Sequence, residues 1–252
     1  MNLLRPQWLP PPSTLLLDDA VHIWRSPLTV TPDQLGYLTK LLSPDELARS
    51  QRFRFPQHQQ RFVVGRATLR LILSQYLQKS PARLQFQYSS SGKPELIESG
   101  GLEFNLSHSQ DLMLCAVVQN YAVGIDLEQL RPVKDLEQLT QRFFASEESR
   151  RIRTLPEAAR SPSFFQHWTC KEAILKTTGT GLANLTDVEL VEVEGMLQLA
   201  RSLGEIFYLQ SFEPRENFVA AIAVATPDEY KPQLAFWRGE LAEIDSNFLS
   251  RV

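Results

Sequence analysis

The chain has 252 residues, 43% of them hydrophobic and 22% charged, and a formal net charge of −3. That length and balance suit one large globular domain or two smaller ones, and exclude a disordered or fibrous chain. The charge speaks against bulk nucleic-acid binding, and no run approaches the roughly 20 apolar residues of a membrane-spanning helix.

Residues 1–17 read as an irregular, proline-rich lead-in with no small-residue cleavage site after an apolar block, so no secretion signal is predicted there. Val21–Trp24 is predicted as the first strand. Ser43-Pro44-Asp45-Glu46 starts a helix, with Ser at the N-cap, Pro at the first helical position and Glu two positions later. A long helix follows over about residues 57–78, its apolar side carrying Phe62, Leu69, Ile72, Leu73 and Tyr76. Between Glu46 and Glu95 there is no acidic residue, and the window holds nine cations: Arg49, Arg52, Arg54, Arg61, Arg66, Arg70, Lys79, Arg83 and Lys93. The rest of the chain carries 17 basic against 29 acidic residues. One part is therefore expected to meet anions and the other to supply carboxylates.

Short strands are predicted next: Leu84–Tyr88, a turn at 89–94, Gly101–Leu106, Asp111–Gln119 and Tyr121–Leu127. Within them LMLCAVV is continuously apolar, as a strand covered on both faces requires. After Arg131-Pro132 the pattern turns helical over Leu136–Phe144, Ser146–Leu155 and Phe164–Thr177. Strands return at Val188–Val193, Leu197–Ala200, Ile206–Phe212 and Phe218–Val224. Residues 227–252 read as a polar tail, partly helical around Leu234–Glu243. The expected fold class is α+β in two halves, 18–120 and 121–226, with 1–17 and 227–252 as extensions. Cys115 and Cys170 lack metal or redox spacing, which predicts free buried thiols and a cytoplasmic protein.

Chemistry concentrates in four places. In Gly124-Ile125-Asp126-Leu127-Glu128, strand alternation puts Asp126 and Glu128 on one face and turns Ile125 and Leu127 to the core. In Trp168-Thr169-Cys170-Lys171-Glu172-Ala173-Ile174-Leu175-Lys176, helical spacing puts Trp168, Glu172 and Lys176 along one side, with Gly179 and Gly181 ending the helix. Neighbouring carboxylates stay ionised together only around a cation, and three oxygen donors on rigid elements suit Mg²⁺. Phe104-Asn105-Leu106-Ser107-His108-Ser109 reads as a strand entering a turn that offers hydroxyls and an imidazole to an anion. Gly92-Lys93-Pro94 aims one lysine from a turn. Phe143 and Phe144 are read as core, and Trp168 as an anchor for its helix.

These pieces, in this order, resemble the 4′-phosphopantetheinyl transferases, in particular their surfactin-type (Sfp-type) branch. The resemblance rests on GKP at 92–94, FNLSHS at 104–109, GIDLE at 124–128, RFFASEE at 142–148 and WTCKEAILKTTGTGL at 168–182. It implies two similar α+β halves in a pseudo-twofold arrangement, with the active site in the cleft between them, in a monomer. It also implies a reaction: phosphopantetheine passes from coenzyme A to a serine of an acyl-, peptidyl- or aryl-carrier protein, and adenosine 3′,5′-bisphosphate leaves. Asp126, Glu128 and Glu172 would hold Mg²⁺ or Mn²⁺. Glu172 would also accept the serine proton, directly or through a water, and Lys176 would steady or protonate the leaving phosphate. Lys93, Ser107 and His108 would contact coenzyme A phosphates. Arg49 would take the 3′-phosphate, with Arg52 and Arg54 close enough to substitute. The segment Val133–Leu139 and Arg150, Arg151 and Arg153 would meet the acidic carrier. Two other readings stay open: a carrier-binding module without turnover, and a metal-dependent phosphodiesterase.

Overall fold

The structure, a computed structural model, describes residues 3–18, 20–89, 92–201, 206–227 and 231–241. β1 (Ala20–Pro27) leads into α1 (Pro32–Thr39), α2 (Pro44–Ser50) and α3 (Pro56–Leu77). A hairpin of β2 (Phe86–Tyr88) and β3 (Pro94–Leu96) then precedes β4 (Leu102–Ser109) and β5 (Leu112–Gln119). The same succession follows again. β6 (Val123–Gln129) leads into α4 (Leu136–Phe143), α5 (Ser146–Thr154) and α6 (Glu157–Thr178). The hairpin of β7 (Glu189–Val193) and β8 (Met196–Arg201) precedes β9 (Phe207–Phe212) and β10 (Phe218–Ala225). β11 (Gln233–Arg238) comes last.

The sheets obey the same duplication. One runs β11-β1-β5-β4 and the other β6-β10-β9, so in each half the first strand pairs antiparallel with the last, and the last with the one before it. The two long helices, α3 and α6, each have 22 residues. The α+β class and the two similar halves expected from the sequence are both present.

Side-chain alternation shows how the layers stack. Met113, Cys115 and Val117 of β5 pack with α3, while Leu112, Leu114, Ala116 and Val118 turn the other way and meet Ile125, Leu127, Ala220, Ile222 and Val224 of the second sheet. Ala221 and Ala223 of β10 face α6 through Cys170, Ala173 and Ile174. The order is helix, sheet, sheet, helix. Both β5 and β10 are covered on both faces, which is why each is apolar at nearly every position. Cys115 and Cys170 are free and buried.

Four features differ from the sequence reading. Where a helix was predicted around Leu234–Glu243, the structure has the strand β11 as far as Arg238, which pairs parallel with β1 from Ala20↔Gln233 to Arg25↔Arg238. Helix α1 was not expected, although Thr31 and Gln34 cap it reciprocally: Thr31 N donates to Gln34 Oε1 at 2.9 Å and Gln34 N to Thr31 Oγ1 at 3.3 Å. The helix predicted from Phe164 starts at Glu157 and runs through Pro162. The serines of FNLSHS belong to β4 and not to a turn.

Residues 3–9 lie across both halves. Leu4 bridges to Phe212 of β9 and Leu9 to Trp237 of β11, and the Trp8 ring packs edge-on against Phe236 at 5.3 Å.

Two buried histidines make the stability of this fold depend on pH. Trp24 Nε1 donates a hydrogen bond to the Tyr76 hydroxyl at 2.8 Å, and His22 Nδ1 shares a second hydrogen bond with that hydroxyl at 2.8 Å. His167 donates from Nδ1 to Ser163 O at 2.8 Å. Desolvation pulls both down to about 4; for His167 the Ser163 bond opposes this and the Lys171 charge adds to it. Their folded pKa values thus lie below the unfolded value of about 6.5, so the unfolded chain binds more protons between pH 6.5 and 4. The stability is present above pH 6.5 and is lost as pH falls toward 4, by on the order of 3 kcal/mol for each histidine. Urea midpoints measured at pH 7.5 and 5 should show the loss. His167→Phe, which keeps the ring stacked on Phe144, should flatten part of it. An equally steep profile in that variant would remove His167 from the account.

Candidate active site

The carboxylates sit where β6 passes under α6. Ile125 and Leu127 point into the inter-sheet core, so Gly124, Asp126 and Glu128 face the helix side, as alternation dictates. The helix comes very close. A Cβ on Gly124 would lie 2.0 Å from Ala173 O and 2.6 Å from Thr177 N, so only glycine allows this approach. One turn of α6 then brings Lys176 over Asp126. Lys176 Nζ donates to Asp126 Oδ1 at 2.6 Å, to Ser107 Oγ at 3.1 Å and to Ile125 O at 3.3 Å. Gly179, with φ 72°, ends the helix in the left-handed conformation, and its N–H bonds to Leu175 O.

β4 reaches the same place from the first half. It lies beside β6 without sheet pairing, and its side chains form the link. Asn105 Oδ1 accepts from Ile125 N at 2.9 Å, Ser107 Oγ donates to Asp126 Oδ1 at 2.8 Å, and Ser109 Oγ donates to Glu128 Oε2 at 3.3 Å. Glu128 also accepts from Arg131 at 3.1 Å. A cavity of about 240 Å³ opens here, lined by Lys93, Asn105, Leu106, Glu172, Lys176 and Gly179 among others. A larger cavity of about 500 Å³ between β8 and β9 shares no lining residue with it.

Glu172 lines this cavity and is pushed up to about 7, first by burial, then by the Asp126 charge and more weakly by Glu128, with Lys176 opposing. Acids that disfavour each other's ionisation invite a cation. Asp126 Oδ2 is buried and has no hydrogen-bond partner, and every donor is a hard oxygen. By donor chemistry Asp126, Glu128 and Glu172 suit a hard ion such as Mg²⁺ or Mn²⁺, but their side chains do not form a closed site. Among the described residues no three His, Cys, Asp or Glu side chains are gathered tightly enough to hold an ion. Lys176 and Ser107 hold Asp126, while Arg131 and Ser109 hold Glu128.

The basic window divides. Glu46, which caps α2 by accepting from Ser43 N at 2.9 Å, also takes Arg66 and, at 2.8 Å, Arg70. Burial opposes its ionisation, but the Arg70 bond and the Arg66 charge outweigh that and hold its carboxyl below the usual range. Arg66 and Arg70 are thus part of the interior and do not form the anion-facing surface expected of them. Lys79 pairs with Glu98 at 2.6 Å. Arg49, Arg52 and Arg54 remain exposed. The Arg49 guanidinium lies over the rings of Phe62 and Tyr88, at 5.5 and 5.7 Å, beside a cavity of about 510 Å³ shared with Asp45, Arg52 and Phe53. His108, the more open residue of β4, has its pKa lowered by partial desolvation first and then by Lys176 and Arg61, against Asp126. Lys93, lowered by burial against Glu103 and Glu95, donates to Lys176 O at 2.9 Å and Val123 O at 3.2 Å.

Lys171, inside the same motif as Glu172, is a residue whose role the sequence did not disclose. It is fully buried and pairs with Glu148 at 2.7 Å while donating to Leu185 O and Val188 O. Glu148 in turn accepts from Ala145 N at 2.6 Å and Leu190 N at 2.8 Å. This cluster pins α6 to α5 and to the start of β7. The aromatics do the rest: Phe144 is buried and stacks on Phe164, and Phe143 meets Trp168 edge-on. Val133, Leu136 and Leu139 pack partly buried against the same cluster. Arg150, Arg151 and Arg153, expected to await an acidic partner, are paired with Glu147, Glu192 and Glu137.

Two adjacent helix–sheet halves, with acids on a strand and helix of one and cations on the other, make an arrangement suited to a polyanion. Comparison with known proteins narrows this. The family model described as the 4′-phosphopantetheinyl transferase superfamily matches residues 122–231, and that of the 4′-phosphopantetheinyl transferase N-terminal region matches 27–120. The 4′-phosphopantetheinyl transferase HetI of Nostoc sp. is 47% identical over 230 residues, 88% of this chain and 95% of its own. A relative from Synechocystis sp. is 33% identical over 92% of this chain and 93% of its own. The 4′-phosphopantetheinyl transferase Sfp of Bacillus subtilis is 26% identical over 74% and 84%. The chain belongs to the 4′-phosphopantetheinyl transferase superfamily and is an enzyme of that family. Among the described residues, no helix is long and apolar enough to cross a membrane.

Proposed function

We propose that this enzyme moves the 4′-phosphopantetheine group of coenzyme A onto a serine of an apo acyl-, peptidyl- or aryl-carrier protein, and releases adenosine 3′,5′-bisphosphate. The observation that carries the reading is that Glu172 and Lys176 share one cavity wall, Lys176 reaching back to Asp126 behind it, while the other wall, with Lys93, comes from the basic half. The serine hydroxyl attacks the β-phosphorus of coenzyme A, a new P–O bond forms, and the bond to the bridging diphosphate oxygen breaks. Glu172, short of its charge in a half-buried site, accepts the serine proton directly or through a water. Lys176 holds the bridging oxygen by its ammonium and supports the negative charge that grows there. Ser107 and His108 offer hydrogen bonds to phosphate oxygens at the end of β4. Arg49 takes the 3′-phosphate, with Arg52 and Arg54 beside it. A Mg²⁺ or Mn²⁺ held by Asp126, Glu128 and Glu172 would neutralise diphosphate charge and draw the reacting oxygens together. Asp126 keeps Lys176 and Ser107 in register for that arrangement.

The reading extends to a surfactin-type monomer in the cytoplasm, with 18–120 as the phosphate-binding half and 121–226 as the catalytic half. One chain supplies both walls of the groove, and free buried thiols suit a reducing compartment. Incubation with coenzyme A, Mg²⁺ and apo carrier protein should add the mass of phosphopantetheine to the carrier. Binding without that gain would leave a silent carrier-binding module, and coenzyme A cleavage without carrier would mark a phosphodiesterase.

Arg49→Gln should raise KM for coenzyme A about tenfold and leave kcat within about twofold, since one charge-assisted contact to a ground-state phosphate is lost. A fall in kcat at constant KM would take Arg49 out of the phosphate site.

A further inference from the structure

Lys93 differs from the other cations of its window in what its ammonium touches. It does not face the groove alone. Its Nζ donates to two backbone carbonyls of the other half, Lys176 O on the last turn of α6 and Val123 O at the start of β6. Carbonyls in the last turn of a helix have no partner of their own in the helix, and a cation there also opposes the negative end of the helix dipole. Thr180 N, the partner Lys176 O would have if the helix continued, goes to Leu175 O instead. The two carbonyls flank the closest approach of the half: Gly124 follows Val123, and Thr177, whose N lies 2.6 Å from a Cβ at Gly124, follows Lys176. The lysine itself is fixed from behind by the hairpin, where Ser89 N donates to Lys93 O at 2.9 Å and Lys93 N to Ser89 Oγ at 3.1 Å.

We propose that Lys93 is a positioning residue: its ammonium clamps the C-terminal turn of α6 to β6 and thereby holds Lys176 on Asp126, and it is not a ligand of coenzyme A phosphate. The clamp joins the halves at the point where the first half meets the helix that bears Glu172 and Lys176. It rests on the transfer reaction proposed above for its kinetic test, and on geometry alone for its structural one.

Lys93→Met keeps the aliphatic stem and removes the donors. In the transfer assay kcat should fall about tenfold or more, while KM and the calorimetric Kd for coenzyme A stay within about twofold of wild type. Lys93→Arg separates the two roles a second way. An arginine serves a phosphate as well as a lysine does but carries its donors on a longer, planar fork, so the clamp expects kcat to fall again with KM unchanged. This variant carries the test if Lys93→Met does not fold. A tenfold rise in KM or Kd with kcat retained in Lys93→Met, or wild-type kinetics in Lys93→Arg, would overturn the clamp and restore a phosphate contact. Amide hydrogen exchange at Gly179 and Thr180 should quicken in either variant, and unchanged exchange would also overturn it. That measurement needs no turnover. Failure of the wild-type enzyme to modify any carrier would therefore sink the functional reading and leave the clamp to be judged by exchange.

Discussion

Replacing Gly124 with alanine is expected to lower Tm by on the order of 10 °C and to remove most of the activity of whatever protein remains folded. The added methyl would sit 2.0 Å from Ala173 O and 2.7 Å from Thr177 Oγ1. The first of these is backbone inside a helix and cannot rotate away. Relief requires β6 and α6 to separate, and overpacking of that kind costs roughly 3 kcal/mol. In a chain of this size each kcal/mol moves Tm by about 2–4 °C. Separation also lifts Lys176 from Asp126 and loosens Glu172, so activity should fall faster than stability. Thermal melting and transfer rates on the same sample would check both. A variant within a degree or two of wild type and fully active would mean the strand and helix do not meet as closely as described.

Glu172→Gln should cost at least about a hundredfold in kcat, and up to about a thousandfold, with little change in melting temperature. The amide has the volume of the carboxyl, so the cavity wall is kept. What disappears is the proton acceptor and one anionic oxygen among the donors suited to a divalent ion. Coenzyme A binding, carried by the cations of the first half and by β4, should stay within about threefold in calorimetry. Single-turnover measurement would place the loss in the chemical step. Near wild-type turnover would remove Glu172 from the reaction.

Local periodicity made much of this site readable. Alternation in GIDLE correctly turned Ile125 and Leu127 inward and left Asp126 and Glu128 together. The spacing of Glu172 and Lys176 put both on the cavity wall, and LMLCAVV was read as a strand covered on both faces. What escaped the sequence depends on partners far along the chain. Arg66 and Arg70 look like surface cations until Glu46 is seen beneath them, 20 and 24 residues upstream. Lys171 looks like its neighbour Lys176 until Glu148 is found across the helix pair. β11 pairs with β1 more than two hundred residues away, so no local pattern announces its partner. Hairpin strands of three residues such as β3 are too short to show a period. Helix α1 is different, because its signal, the reciprocal Thr31–Gln34 cap, is local and present in the sequence.

The repeated succession of elements has a consequence for stoichiometry. A body built from two like halves offers two corresponding seams: the one between β4 and β6, which holds the acids, and its counterpart between β9 and β1. At that counterpart, β11 lies along β1, Leu4 bridges to Phe212, and Trp8, Phe236 and Phe212 fill the junction with rings. Residues 3–9 and β11 cover that counterpart, so the transfer proposed above is expected to use one donor molecule per chain, a stoichiometry that calorimetry with coenzyme A would check.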